Sequence, residues 1–235
     1  MSSTSRGYHI VAPEYRHNSA GIRALYILAD ELRARGYRAT TGFTARDPDD
    51  IVLYPEVCPE NVFKSERAVW WLLNDAVVPQ PAWAWTEGIS NDPLLTVNVI
   101  ELDLFKPRTG PRSGVVWWAH KGGYSERHVP PGAVRITHDW PPTREELADL
   151  IAGAEVLISF DGFTSMNAEA AMLGTPVVCY GSTRKGVEFR IPGVAATYKR
   201  AAAEVDGAYD AYCAWLPVFQ QRIDSFVDKT QEMFT

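Results

Sequence analysis

Long apolar runs are missing from this 235-residue chain. Nowhere do about 18 apolar residues follow one another, the length a membrane-crossing helix needs. The opening MSSTSRGYHIVAPEY also lacks the charged-then-apolar build of a secretory signal, so no membrane span and a cytoplasmic location are expected. Cysteine is scarce. Cys58, Cys179 and Cys213 are odd in number, widely spaced and set among apolar neighbours, which fits reduced core thiols rather than a disulfide framework. An excess of positive charge is absent too: the formal charge of −6 argues against a generally basic nucleic-acid surface, although a local cationic groove can hide inside an acidic total. The glycine fingerprints of dinucleotide and P-loop sites are lacking. So are a His/Cys/Asp cluster at metal-ligand spacing and a strand-borne D-x-D, so neither a metal nor a cofactor is expected.

What is present points to an α/β protein. At 46% hydrophobic the chain can bury a sizeable core, either as one large domain or as two small ones. Residues 8–12 (YHIVA) read as a strand, and GIRALYILADELRARG after it carries apolar residues at helical spacing up to Gly36. Further strands are expected over 38–41, 51–54, 68–73 and 94–100. The Pro- and Gly-broken stretch 103–113 reads as a boundary. The rhythm then restarts with strands over 115–119 and 134–137 and a helix over 143–152, which the capping box T-R-E-E at Thr143 and Glu146 opens. A strand over 156–160, a helix over 167–173 and a strand over 176–180 follow. Alternation of this kind predicts parallel, helix-covered sheets. Residues 201–234 read as mostly helix with Pro217 a kink or break. Of eight tryptophans, the pairs Trp70-Trp71 and Trp117-Trp118 fall in strand-like runs, whereas Trp83 and Trp85 in QPAWAW read as a loop. A ring on a loop can stack on a sugar or base, but a packed tryptophan is the commoner case.

The segment richest in chemistry is LISFDGFTSMNAEAAMLGTPVVCYG, residues 157–181. An apolar strand runs into an acid, a glycine and two hydroxyl residues before a helix opens. In doubly wound sheets ligands bind beyond the carboxyl ends of strands, where helix N-termini present free N–H groups to phosphates, so the loop from Asp161 through Gly162, Phe163, Thr164 and Ser165 is a candidate anion cradle. Glu169 stands about one helical turn deeper, where a carboxylate can accept from both hydroxyls of a ribose. Taken singly, Asp161-Gly162 is an ordinary turn and an early helical glutamate simply complements the dipole.

The pattern strand, acid, seven residues, Glu-Ala, Gly-x-Pro-Val-Val resembles the nucleotide-sugar site of retaining GT-B glycosyltransferases, usually written with two glutamates. Here the first acid is Asp161, while EAAMLGTPVV from Glu169 to Val178 follows the family's wording closely. Residues 17–37 resemble that family's N-terminal glycine loop and first helix, with Asn18 and Gly21 at the donor-facing positions. Residues 101–107 (ELDLFKP) resemble its link between lobes. WWAHKGG, residues 117–123, stands where the family places a phosphate-binding lysine, which makes Lys121 the candidate with His120 beside it. Residues 50–74 resemble a run in some bacterial and phage members. The family often adds an arginine that WWAHKGG lacks; His120, Arg127 or Arg184 would substitute.

The resemblance implies two small Rossmann-like lobes: 1–107 on the acceptor side, 108–200 on the donor side, and a helical tail 201–235 packing back on the N-terminal lobe. It implies a glycosyltransferase that takes a sugar from a nucleotide-sugar donor, a UDP-sugar foremost, without metal, with Asp161 and Lys121 catalytic and Glu169 on the donor ribose. A retaining reaction would lean on electrostatic preorganisation, whereas an inverting one would need a side-chain base, for which Glu14, His17 and Asp139 are candidates. The acceptor is a glycan or a hydroxymethylated pyrimidine in phage DNA. A sugar-nucleotide epimerase and a degenerate nucleotide-sugar-binding protein are the alternatives.

Overall fold

The computed structural model describes residues 5–44, 47–119, 126–181 and 190–235. Its contacts divide the chain into two compact units, Met1–Val99 with Pro217–Thr235, and Ile100–Leu216.

The first unit is built on a parallel sheet of five strands, β1 (Tyr8–Ile10), β2 (Ala39–Thr41), β3 (Ile51–Pro55), β4 (Ala68–Leu72) and β5 (Ala82–Ala84), in the order β2-β1-β3-β4-β5. Every residue of β3 and β4 is buried, which is why both read as unbroken apolar runs rather than as alternation. Helix α1 (Ala20–Ala34) starts at Ser19, whose hydroxyl accepts the Ile22 N–H at 3.4 Å. It stops at Gly36, whose φ of 84° lets the Gly36 N–H reach the Arg33 carbonyl and the Tyr37 N–H the Leu32 carbonyl. That is the Schellman arrangement, in which a glycine supplies the left-handed turn.

Two expectations fail in this unit. QPAWAW is not a loop: Trp83 lies in β5 and is buried, with Pro81 just outside the strand giving its carbonyl to the Trp70 N–H. A proline is tolerated at that position because it has only a donor to lose. Residues 94–100 are not a strand. Leu95 and Val97 are buried, but only Leu94 bridges to Ala84, and Thr96 turns its hydroxyl to the Trp85 carbonyl. The apolar alternation there reports burial without a hydrogen-bonded ladder.

The second unit repeats the plan with β6 (Val115–Trp118), β7 (Val134–Ile136), β8 (Val156–Ser159), β9 (Val177–Cys179) and β10 (Val194–Ala195), parallel throughout in the order β10-β9-β8-β6-β7. Counted in chain order within each unit, both sheets read second, first, third, fourth, fifth. The direction in which successive strands are added to the sheet therefore reverses between first and third strands, which here are β6 and β8. Helix α2 (Arg144–Gly153) opens on the complete Thr143–Glu146 capping box. Helix α3 (Ser165–Met172) follows β8 and closes on Gly174 with the same motif as α1, Gly174 N–H to Ala171 and Thr175 N–H to Ala170. Arg112 completes that end, donating to the Leu173 carbonyl at 2.7 Å and to the Thr175 hydroxyl.

The C-terminal helical stretch is divided between the units. Helices α4 (Tyr198–Glu204) and α5 (Ala208–Cys213) lie in the second unit, against the sequence expectation of one tail from residue 201. Helix α6 (Leu216–Met233) belongs almost wholly to the first, with Pro217 in its opening turn, where the missing N–H costs nothing, rather than at a kink. Phe226 of α6 meets Tyr8 and Trp83 at ring-centroid distances of 5.9 and 5.1 Å, and Thr230 shares a 2.8 Å hydrogen bond with the Tyr8 hydroxyl. Among the described residues no helix is long and apolar enough to cross a membrane.

Candidate nucleotide-binding site

Open α/β sheets offer ligands the crevice beyond the carboxyl ends of their strands, at the point where strand order reverses. In the second unit that point lies between β6 and β8, whose ends pair Trp118 with Ser159. The chain leaves β8 through Phe160 and Asp161. Ser159 donates its hydroxyl to the Asp161 carbonyl at 3.0 Å, and Asp161 Oδ1 accepts the Phe163 N–H at 3.0 Å. This is an Asx turn: the carboxylate stands in for a carbonyl and bends the chain toward the helix. Thr164 then caps α3, its hydroxyl accepting the Met166 N–H at 3.3 Å, and Asn167 returns its Nδ2 to the Asp161 carbonyl at 2.9 Å. The N–H groups of Gly162, Thr164 and Ser165 are left without a hydrogen bond among the described residues. Together with the positive end of the helix dipole they make a half-buried cradle suited to an anion.

The end of β9 is pressed against this loop. A methyl group on Gly181 would sit 2.3 Å from the Gly162 nitrogen and 2.8 Å from the Phe160 carbonyl oxygen. Cys179, the last residue of β9 and two before Gly181, is buried; burial pushes its thiol pKa up, and its Sγ lies 3.9 Å from both Asn167 Nδ2 and the Gly181 carbonyl. Asn167 Oδ1 is buried with no partner among the described residues. Beside the loop, Tyr180 stacks on His128 with 4.3 Å between ring centroids and 12° between planes, and Phe160 lies 5.7 Å from Tyr180. Tyr180 remains 46% exposed, an aromatic face at the mouth of the strands.

Glu169 is only 1% exposed, and a lone carboxylate that deep is costly unless paired. Its partner is Arg144, the first residue of α2. Arg144 Nη2 meets Glu169 Oε1 at 2.7 Å and Nη1 meets Oε2 at 3.3 Å. The same guanidinium reaches Glu101 Oε2 through Nε and Nη2 at 3.1 and 2.9 Å, and lies over the Phe105 ring at 4.5 Å. Burial works against the arginine's charge, but Glu169 and Glu101 more than offset it, and the Arg144 pKa stands above its ordinary value. Sequence reading passed over Arg144. The available signal was its position: a cation in the first turn of a helix opposes the macrodipole, so a specific carboxylate partner is needed to explain it.

The second unit thus gathers Asp161, Gly162, Phe163, Thr164, Ser165 and Glu169 along one strand, loop and helix. Asn18 and Gly21 belong to the first unit, where Ser19 rather than Asn18 caps α1. The atom nearest to a methyl group on Gly21 would be Leu73 Cδ1 at 3.7 Å, so packing within that unit does not demand a glycine. Lys121, His120 and Arg184 fall outside the described residues. Of the candidate bases, Glu14 and His17 are in the first unit and Asp139 follows β7 in the second; the His17 carbonyl accepts from Arg23 Nη1 at 2.5 Å. No protein-family model matches the chain, and no curated protein matches it either.

Proposed function

We propose that the protein is a glycosyltransferase of the GT-B type whose second unit grips a nucleotide-sugar donor, a UDP-sugar foremost. The observation that carries the reading is the junction of β8 and α3: an acid at the strand tip, N–H groups at the helix start with no hydrogen bond among the described residues, and a second acid one turn on, all beside the sheet's switch point. In this reading the donor diphosphate sits on the N–H groups of Gly162, Thr164 and Ser165, with Lys121, next to His120 after β6, adding a point charge. Glu169 holds the ribose and Asp161 faces the transferred sugar. The first unit serves the acceptor side, while its Asn18 and Gly21, at the start of α1, are the donor-facing positions that the resemblance implies.

The reaction breaks the bond between the sugar's anomeric carbon and the donor's phosphate oxygen and forms one from that carbon to an acceptor hydroxyl oxygen. The hydroxyl proton passes to the departing diphosphate, which leaves as the free nucleoside diphosphate. Charge builds on the leaving group, so fixed N–H dipoles and Lys121 act where they lower the barrier most. A second reading is a nucleotide-sugar-binding protein without turnover. It is favoured by the engagement of both acids within the fold, Asp161 on the Phe163 N–H and Glu169 on Arg144.

Incubation with a panel of labelled nucleotide sugars, first alone and then with glycans and hydroxymethylated DNA, tests these readings. The expected result is slow donor hydrolysis that a hydroxyl acceptor turns into transfer. Interconversion of the sugar would mark an epimerase, and binding without turnover the non-catalytic reading.

A further inference from the structure

Tyr180 is the residue just beyond β9, and its backbone N–H donates to the Ser159 carbonyl at 2.8 Å, so it stands at the carboxyl edge of the sheet where β8 also ends. Large apolar side chains scattered singly over a surface need no explanation. This one is held in place. Its ring lies nearly parallel to those of His128, from the 3-10 turn Glu126–His128, and Phe160, with 12° and 27° between planes. Phe160 is itself fixed in the core, edge-on to Trp117 at 6.3 Å. The centroid of Phe160 stands 5.7 Å from that of Tyr180 and 6.4 Å from that of His128, which are 4.3 Å apart. On opposite faces of Tyr180, His128 and Phe160 would be separated by nearly the sum of their distances to it; the measured separation falls well short. Phe160 therefore lies beside the stacked pair, and only His128 covers a face of Tyr180. The second face meets no other ring among the described residues, and an exposure of 46% is that of a ring covered on one side. A face already fixed by stacking loses little side-chain freedom when a ligand settles on it.

The neighbours of Tyr180 say which ligand group reaches it. Gly181, next in the chain, presses on the backbone of Asp161 and Gly162, and Phe160 immediately precedes Asp161. The open face thus borders the Asp161 end of the cradle loop. A diphosphate on the loop's N–H groups has a nucleoside on one side and a sugar on the other, and Asp161 stands on the sugar side. We propose that Tyr180, backed by His128, is the platform for the transferred sugar and takes the C–H face of a hexopyranose. The inference rests on the reading of the β8–α3 junction as the donor site with Asp161 toward the sugar. The face of an aromatic ring is negative, so it attracts the weakly positive C–H groups that a pyranose presents above and below its ring. The contact uses the ring and not the hydroxyl, which makes no hydrogen bond among the described residues.

The test is calorimetric titration of the wild type, Tyr180→Phe, Tyr180→Leu and Tyr180→Ala with UDP, UDP-glucose, UDP-galactose and UDP-N-acetylglucosamine, with circular dichroism and thermal melts to establish folding. Tyr180→Phe keeps the ring and should bind all of them as the wild type does. Tyr180→Ala and Tyr180→Leu should hold UDP within about twofold of the wild type and bind the nucleotide sugars that the wild type binds about three- to tenfold more weakly, the scale of one aromatic-face contact. If Tyr180→Ala fails to fold, Tyr180→Leu, which keeps apolar bulk without a π face, decides. Alanine and leucine variants that bind the nucleotide sugars as tightly as the wild type, or that lose UDP and its sugars equally, overturn the platform and leave the functional reading intact. So does a Tyr180→Phe that loses as much as Tyr180→Ala. A wild type that binds none of the three nucleotide sugars overturns the reading of the second unit as a UDP-sugar site, and this inference with it.

Discussion

At the scale of single residues, Gly181 shows how closely the candidate site is assembled. A methyl group there would collide with backbone atoms of Phe160, Asp161 and Gly162, not with the yielding end of a side chain. Either the β9 end or the cradle loop must move. Gly181→Ala should therefore cost about 1–3 kcal/mol of stability, the range of overpacking in a tight interior. It should also weaken nucleoside diphosphate binding, because the displaced atoms are the cradle itself. Urea unfolding and titration of the folded variant check this; a variant as stable and as tight as the wild type would show that the contact yields freely. The acids of this loop were legible in the sequence because an acid after an apolar strand and a glutamate early in a helix each have a positional meaning. The Arg144 partnership was not. Residues 144 and 169 are brought together by tertiary packing of α2 on α3, which neither periodicity nor spacing encodes.

At the scale of elements, helix ends were the most readable features. The Thr143–Glu146 box and the glycine stop of α1 appear as expected, since each depends on a few adjacent residues and on local geometry. Strands were less so. The short parallel strand β5 has only Ala82–Ala84 and hides in a Pro- and Ala-rich stretch, whereas residues 94–100 alternate convincingly without forming a ladder. Partner strands decide such cases, and these lie elsewhere in the chain. Helix α6 was recognised as helix, with its packing partner beyond the reach of the pattern. Phe226, fully buried between Tyr8 and Trp83, anchors it to the first unit. Phe226→Ala should destabilise that unit by about 3–5 kcal/mol, the usual cost of emptying an aromatic core site. Denaturant unfolding followed by tryptophan fluorescence measures it, and a loss under about 1 kcal/mol would mean that α6 packs more loosely than these contacts indicate.

At the scale of the whole molecule, the repeated strand order is the organising fact. Two parallel five-stranded sheets each reverse their order of strand addition between first and third strands, and in the second unit the richest stretch of sequence falls at that reversal. Strand and helix alternation made the parallel sheets legible. The division of the C-terminal helices between units was hidden, because apolar spacing reveals that a helix has a buried face but not which surface covers it. The central claim is that the β8–α3 junction holds a nucleotide sugar, with Asp161 serving the reacting sugar rather than the nucleotide. Asp161→Asn isolates this, since an asparagine oxygen can still accept the Phe163 N–H and keep the turn. The deciding measurement sets the turnover of that variant on its nucleotide sugar beside its affinity for the free nucleoside diphosphate. The account predicts affinity within about twofold of the wild type and turnover lower by on the order of 100-fold, as when a group that stabilises transition-state charge is removed. Full turnover in Asp161→Asn, or turnover and affinity falling together in a folded variant, would contradict it.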